Sequence, residues 1–306
     1  MTRPTTPAVL STTPQLSEQA RDDILRLVTA ATETDGTFPL SEQFVLDLRH
    51  ESGARHTLAY AGPGLVGYAQ VSAGAAELVV LPQARRQGFG SELLDAVPAQ
   101  VPVWAHGDLP ESAAFAEAHG MEVVRELFVL GRPVGEDAPL DEPVLPDGLT
   151  VRTFMPGQDE DEWLRVNAAA FRHHPEQGRL TRADLAERMS QRWFDSRGLL
   201  LVVPVQEQDS IAAFHWTKIH PAGVKGPGQV GEVYVVGVDP AYQGKGLGRP
   251  LTLLGLHHLE KAGMSDVILY VDGDNPAALK IYRGLGFTTR AVDRMYSRRV
   301  SATMGR

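Results

Sequence analysis

A chain of 306 residues is long enough for two domains, and with 43% apolar and 22% charged residues it can bury a core in each. No run approaches 18 apolar residues, which excludes a membrane span, and the lack of cysteine removes disulfide frameworks, thiolate metal sites and a cysteine nucleophile together. The net charge of −9 argues against nucleic acid as a main partner, and it is uneven: residues 1–150 hold nine Arg, no Lys and 21 Asp+Glu, whereas 151–306 hold 20 Lys+Arg and 17 Asp+Glu. An anionic ligand meets less repulsion in the second half.

In chain order, the Thr- and Pro-rich stretch Met1–Leu16 lacks the apolar segment of a secretory signal, which points to the cytoplasm. Ser41-Glu42 reads as the first turn of a helix. An apolar strand, Leu78-Val79-Val80-Leu81-Pro82, runs into the turn Arg85-Arg86-Gln87-Gly88-Phe89-Gly90, and Val103–Pro110 and Gly120-Met121 follow. These blocks come again in the same order. Val236–Pro240 with Gln243–Gly248 matches the first at an offset of 158, and Leu269–Pro276 with Gly286-Phe287 matches the others at 166. Two ordered blocks with one insertion between them indicate a duplicated domain. The boundary falls in residues 131–148, where prolines and acids cluster and an extended, poorly packed linker is expected. The domains are then 1–140 and 149–306.

In the second half, β-branched and aromatic content predicts strands over 199–203, 211–218, 232–238, 267–271 and 287–296. Helices are predicted over 246–262 and 276–283, the latter with Asn275 as N-cap, Pro276 at its first position and Gly284 or Gly286 ending it. The fold class is α/β (α+β), two tandem domains each with a mixed central sheet flanked by helices.

The turn after the strand ending at Asp239-Pro240 carries the main chemical signal. Glycines at 244, 246 and 248 let backbone N–H groups approach a ligand, and with the helix that follows they form a phosphate site. The spacing matches neither a P-loop nor a dinucleotide fingerprint. The alternative is a tight turn and nothing more.

Gln243-x-x-Gly246-x-Gly248 after one strand, and Asn275-Pro276 with Tyr282 and Gly286-Phe287 after the next, resemble the pyrophosphate loop and second CoA motif of the GNAT acyltransferase superfamily. Arg85-x-x-Gly88-x-Gly90 is a first copy of that loop. Within the superfamily, residues 231–240, His173–Gly178 and Phe214–Lys218 are similar to the mycothiol synthase family, over roughly residues 20–298. The resemblance implies acetyl transfer from acetyl-CoA to the cysteinyl amine of a glucosaminyl-inositol pseudodisaccharide. It also implies an active second domain, beside a first that holds CoA without turning it over. Other small amines as acceptors, or a non-catalytic acyl-CoA-binding module, are the competing readings.

The offsets support that asymmetry. Glu232 lands on Gly74, Tyr270 on Trp104, Tyr282 on Ala116 and Asn275 on Leu109, so the first copy keeps its turn and lacks the polar side chains. Alternation puts Glu232, Tyr234, Val236 and Val238 on one strand face, where partial desolvation suits Glu232 to act as general base through a bridging water. Tyr282 holds the position of the superfamily's leaving-group tyrosine, and Tyr270 matches a substrate-facing tyrosine given an acid role in the family. Both are kept as catalytic candidates, Tyr270 preferred for substrate contact. Gly237 either marks a bulge that turns an N–H near Val236 outward as an oxyanion donor, or merely relieves the strand.

The cofactor-binding set is Val236, Gly237 and Val238, then Gln243, Gly244, Lys245, Gly246, Leu247, Gly248 and Arg249, then Asn275, Pro276, Ala277, Ala278, Leu279 and Lys280. Its first-copy counterparts are Leu78, Val79 and Val80, then Arg86, Gln87, Gly88, Phe89, Gly90 and Ser91. The resemblance adds Glu42, Glu176 and Lys218 to Glu232 and Tyr270 as acceptor contacts. The ten histidines form no His-Glu-x-x-His pattern, so no metal is expected, and His257-His258 are expected on the solvent side of a helix. The partner is a small-molecule substrate, not nucleic acid or membrane, and the chain is expected to be a monomer.

Overall fold

A computed structural model describes residues 9–49, 53–173, 175–225 and 228–299. The chain packs as two compact units, residues 1–127 with 291–306, and residues 128–290.

The first unit contains β1 (Val9–Thr13), α1 (Glu18–Asp35), α2 (Glu42–Asp47), β2 (Arg55–Ala61), β3 (Gly64–Ser72), β4 (Ala75–Val80), α3 (Phe89–Ala96), β5 (Val103–Ala105), α4 (Pro110–Ala118) and the start of β6 (Met121–Pro133). Strands β1 to β4 form an antiparallel meander, and β5 lies parallel to β4. Beside β5 runs the end of β12 (Thr288–Arg298), with Arg294, Met295 and Tyr296 paired to Ala105, Trp104 and Val103. One face of this sheet buries Ile24, Val28, Leu58, Tyr68 and Val79 against α1 and α2, and the other buries Leu93, Leu94 and Met121.

The second unit begins in the latter part of β6. It continues through β7 (Leu149–Thr153), α5 (Glu160–Ala170), α6 (Pro175–Gly178), α7 (Arg182–Met189), β8 (Leu199–Pro204), β9 (Ala213–His220), β10 (Val230–Val238), α8 (Gly248–Lys261), β11 (Asp266–Asp272) and α9 (Pro276–Gly284). Its strand order is β6-β11-β10-β9-β8-β7. β10 and β11 are a parallel pair with α8 as their crossover, whereas β10–β9, β9–β8 and β8–β7 are antiparallel. One face packs Val233, Leu256, Val267 and Phe287 with α8 and α9. The opposite face packs Trp163, Leu199, Phe214 and Trp216 with α5 and α7.

The elements expected in the second half all form, with ends moved by up to two residues. Asn275 caps α9 by accepting from the Ala278 amide at 3.0 Å, and Gly286, not Gly284, takes the left-handed conformation, with φ of 84°. The expected loose linker is a correction. Leu140 and Leu145 pack against the second unit's core clusters, and Asp141 is held by Arg249 and by His257, so the stretch is docked. Leu140 and Leu145 are half-buried, so each contributes less than the about 1.5–3 kcal/mol of a fully buried leucine, and the polar contacts of Asp141 add to their hold. His257 and His258 are half-buried, a second correction, because His257 binds that docked stretch.

Candidate active site

The site is organised by a fork. Strands β10 and β11 are in register at Gly231–Val267, Glu232–Ile268 and Val233–Leu269, and then part. Beyond Val233 neither strand pairs with the other, although β10 continues to Val238 and β11 to Asp272. Among the described residues, the edge of β10 that faces β11 makes no ladder pair with it from Val235 to Val238, and a slot opens between the two strands.

At the same point the other edge of β10 slips. Its pairing with β9 shifts between Val233 and Val235, so Tyr234 is the extra residue of a β-bulge. The bulge therefore lies three residues before Gly237, whose pairing with Phe214 is regular. A Cβ at Gly237 would stand 2.5 Å from the Phe214 ring, so glycine there makes room for a core aromatic and marks no bulge. The bulge also corrects the expected alternation. Tyr234 and Val235 both pack on the α5/α7 face with Trp216, while Val236 joins Val233 on the α8/α9 face. Glu232 and Tyr234 thus share one face, and Val236 and Val238 are turned to the other.

Glu232 is 6% exposed and lies opposite Lys218 in the β9–β10 ladder. Its Oε2 is hydrogen-bonded to Nε2 of His220, also 6% exposed. Lys218 Nζ sits 4.4 Å from the Trp193 ring centre and 4.9 Å from that of Tyr234, a desolvated cation against two aromatic faces. Tyr270 lies two residues beyond Ile268, on the face shared with Glu232, and accepts a hydrogen bond of 2.8 Å from Lys225 Nζ. An ammonium only donates, so the Tyr270 hydroxyl hydrogen is directed elsewhere. Tyr282, in contrast, packs into the α8/α9 cluster, edge-on to Phe287 at 5.8 Å, and burial pushes its hydroxyl up to about 12.

Of the site residues predicted from sequence, the fold brings Glu232, Lys218 and Tyr270 to one face. Sequence reasoning named none of His220, Trp193 and Lys225, and it placed Tyr234 on the Glu232 face without giving it a role. For His220 a signal was present, because alternation puts it on the same face as Lys218, two residues earlier. Glu42 opens α2 in the first unit and is half-buried. Glu176 lies in α6, and its side chain falls outside the described residues.

The glycine turn has the conformation its composition requires. Gly244 and Gly246 have φ of 76° and 80°, where side chains are strained, and nothing stands within 4 Å of a Cβ at either. Helix α8 begins at once, and its N-cap Leu247 makes no side-chain capping bond. Asp239 caps the Ala241 amide, one turn earlier, and pairs with Arg165. Gly248 serves another purpose: a Cβ there would lie 2.6 Å from Ile281 Cδ1, so it allows α8 and α9 to pack closely. Gln243 Nε2 donates to the Val238 carbonyl at 3.1 Å, Lys245 lies over the Tyr242 ring, and the Arg249 guanidinium binds the Gly284 carbonyl and Asp141. The Gln243 amide donates to the Pro240 carbonyl, and the backbone amides of 244–249 with the fork fit a diphosphate joined to a narrow, extended arm. Among the described residues, no group of His, Asp and Glu could hold a metal ion, and no helix is long and apolar enough to cross a membrane.

The acetyltransferase (GNAT) family model matches residues 162–287. A mycothiol acetyltransferase of Frankia alni is 47% identical over 98% of this chain and 97% of its own. Another from Thermomonospora curvata is 49% identical, covering 93% of this chain and 94% of its own. Among solved structures, a tandem GNAT protein from the clavulanic acid biosynthesis pathway aligns with a TM-score of 0.68 at 18% identity, over 94% of this chain and 98% of that one. A GCN5-related N-acetyltransferase from Sphaerobacter thermophilus gives 0.65 at 23% identity, over 94% of each chain. Both sheets and their helices accordingly have the tandem GNAT fold.

Proposed function

Because the chain belongs to the mycothiol acetyltransferase family of GNAT enzymes, we propose that it transfers acetyl from acetyl-CoA to the cysteinyl amine of cysteinyl-glucosaminyl-inositol, the last step of mycothiol biosynthesis. The observation that carries the reading is the fork between β10 and β11 with buried Glu232 at its base and the uncapped turn 243–249 at its mouth.

Acetyl-CoA supplies an acetyl group activated as a thioester. The amides of Gly244, Lys245, Gly246, Leu247, Gly248 and Arg249 hold its diphosphate, and the free edge of β10 at Val236–Val238 and the start of α9 at Asn275–Lys280 line its arm. Bulging at Tyr234 changes which backbone N–H groups face the slot, which suits one of them to the developing oxyanion. Glu232 accepts the proton of the attacking amine through a water. The task is modest, since an α-amine with a pKa of about 7.7–8.0 costs only ~1 kcal/mol to deprotonate at pH 7, against ~4–5 for a lysine-like amine. Lys218, Glu176 and Glu42 serve the polyhydroxylated acceptor.

Tyr282 keeps its proton. A hydroxyl near 12 facing a thiol of about 8.5 would lose ~5 kcal/mol by full transfer, so it stabilises the leaving thiolate as a hydrogen-bond donor. Tyr270, with its hydrogen directed away from Lys225, contacts the acceptor and gives that hydrogen to the departing thiolate sulfur, and the proton that Glu232 took from the amine passes through water to the Tyr270 oxygen, restoring both residues. In the first unit we propose a duplicated, catalytically degenerate domain, with the turn 86–91 and strand 78–80 retained for CoA. The protein acts as a cytoplasmic monomer without metal.

The test is release of free CoA on mixing purified protein, acetyl-CoA and cysteinyl-glucosaminyl-inositol. Release confined to this acceptor within an amine panel supports the reading. No release with it, or broad release with unrelated amines, overturns it.

A further inference from the structure

We propose that His220 is the positioning residue of the catalytic base: it donates its Nε2–H to Oε2 of Glu232 and leaves Oε1 as the oxygen that takes the proton. The proposal rests on the reading of Glu232 as that base.

The geometry is local and complete. His220 ends β9 and pairs with Val230, while Lys218 pairs with Glu232. Residues 218 and 220 share a face by alternation, so the imidazole is delivered across the ladder onto the carboxylate. Both groups are buried at 6% exposure and bonded directly, Nε2 to Oε2. An ionised carboxylate can only accept. The proton of the bond therefore belongs to the imidazole, and a neutral ring must carry it on Nε2.

Such a bond does for Glu232 what its own strand cannot. The terminal torsion of a glutamate is broad and nearly two-fold, so either oxygen of an unpinned carboxylate could point at the slot. Gly231 and Val233, its immediate neighbours along β10, offer it no side-chain donor. Lys218 faces it from β9 but is held over Trp193 and Tyr234, and Tyr270 on β11 is engaged by Lys225. Among the described residues, the side-chain hydrogen bond to the Glu232 carboxylate comes from His220. During reaction one proton leaves the amine and one arrives at Oε1. His220 gives up none.

Two variants and one spectrum test this. In His220→Ala, kcat should fall about 100-fold, the loss expected when a reacting group is misplaced by an ångström, with the KM for acetyl-CoA unchanged. His220→Gln places an amide N–H where Nε2–H stood and should recover kcat to within about fivefold of wild type. In full-length protein labelled with ¹⁵N-histidine, the His220 ring should show the neutral Nε2–H form, and Glu232→Gln should shift its resonances. Wild-type kcat in folded His220→Ala, a Gln variant no better than the Ala variant, or an Nδ1–H ring would each overturn the proposal. If His220→Ala does not fold, the Gln variant and the wild-type spectrum decide. Failure of the functional reading looks different, since wild type itself would then release no CoA while the tautomer still reports on the bond.

Discussion

The two units solve the same backbone problem and differ in the residues and register where chemistry would occur. In both, a parallel strand pair comes apart: β4 and β5 pair only at Ala76–Val103 and Glu77–Trp104, as β10 and β11 pair only up to Val233. In both, a turn with two positive φ angles follows, at Arg86 and Gly88 in the first unit and at Gly244 and Gly246 in the second. But β3 and β4 pair without interruption from Gly67–Val80 to Ser72–Ala75, whereas β10 bulges at Tyr234. Counting back through that bulge sets Glu232 against Ala75, one residue on from the Gly74 that a fixed offset suggests. Gly74 instead makes the tight β3–β4 turn with Ala73. The first unit lacks both the acid and the register shift. Retaining a phosphate turn is therefore separable from retaining a reaction centre.

The largest effect should come from the residue present in one unit alone. Glu232→Gln is expected to lower kcat by about 10²–10⁴-fold, measured as CoA release, without loss of acetyl-CoA affinity. An unchanged kcat would erase the functional contrast between the units.

What the first unit has instead is a buried clasp. His106 bonds to Asp293 at 2.9 Å and to Glu77 at 3.1 Å, and Glu77 also accepts from the Ser41 amide. Burial alone would lower this imidazole, but the two carboxylates outweigh it and raise it to about 10. His106→Ala should cost about 3–5 kcal/mol in denaturant unfolding, because two buried carboxylates lose their partner. The sign with pH follows from the raised folded value. The clasp is at full strength below the ordinary imidazole value near 6.5 and is lost as pH rises through about 10, so a stability profile flat across that window would contradict it.

Equivalent glycines should differ in smaller degree. A methyl at Gly248 meets Ile281 Cδ1 at 2.6 Å, and one at Gly90 meets Phe115 Cε2 at 3.2 Å. Gly248→Ala is expected to destabilise by about 1–3 kcal/mol and Gly90→Ala by less, read from paired thermal melts. Smallest is Tyr282→Phe, expected to reduce kcat by about tenfold through one lost hydrogen bond to developing charge. A 10³-fold loss would make Tyr282 a true acid and contradict its raised value.

The glycine turn, the strands around it and Asn275-Pro276 were legible because each depends on local residue chemistry. The bulge was not, since it is a property of how β10 pairs with β9, and Gly237 drew attention by composition while its real neighbour was the Phe214 ring. The same slip hid which valines share a face with Glu232. Nor could residues 291–298 be seen to pair beside β5, because strand pairing across such a span leaves no periodic mark. His220 was readable in principle, through alternation from Lys218, but only once the β9–β10 register was known.

The account stands most directly on where acetyl-CoA lies. A crystal structure of the protein with acetyl-CoA should show the diphosphate on the amides of Gly244–Arg249 and the thioester in the fork beyond Val233, within a water's reach of Glu232. Density for the thioester away from that fork, with the turn 243–249 bare, would contradict it.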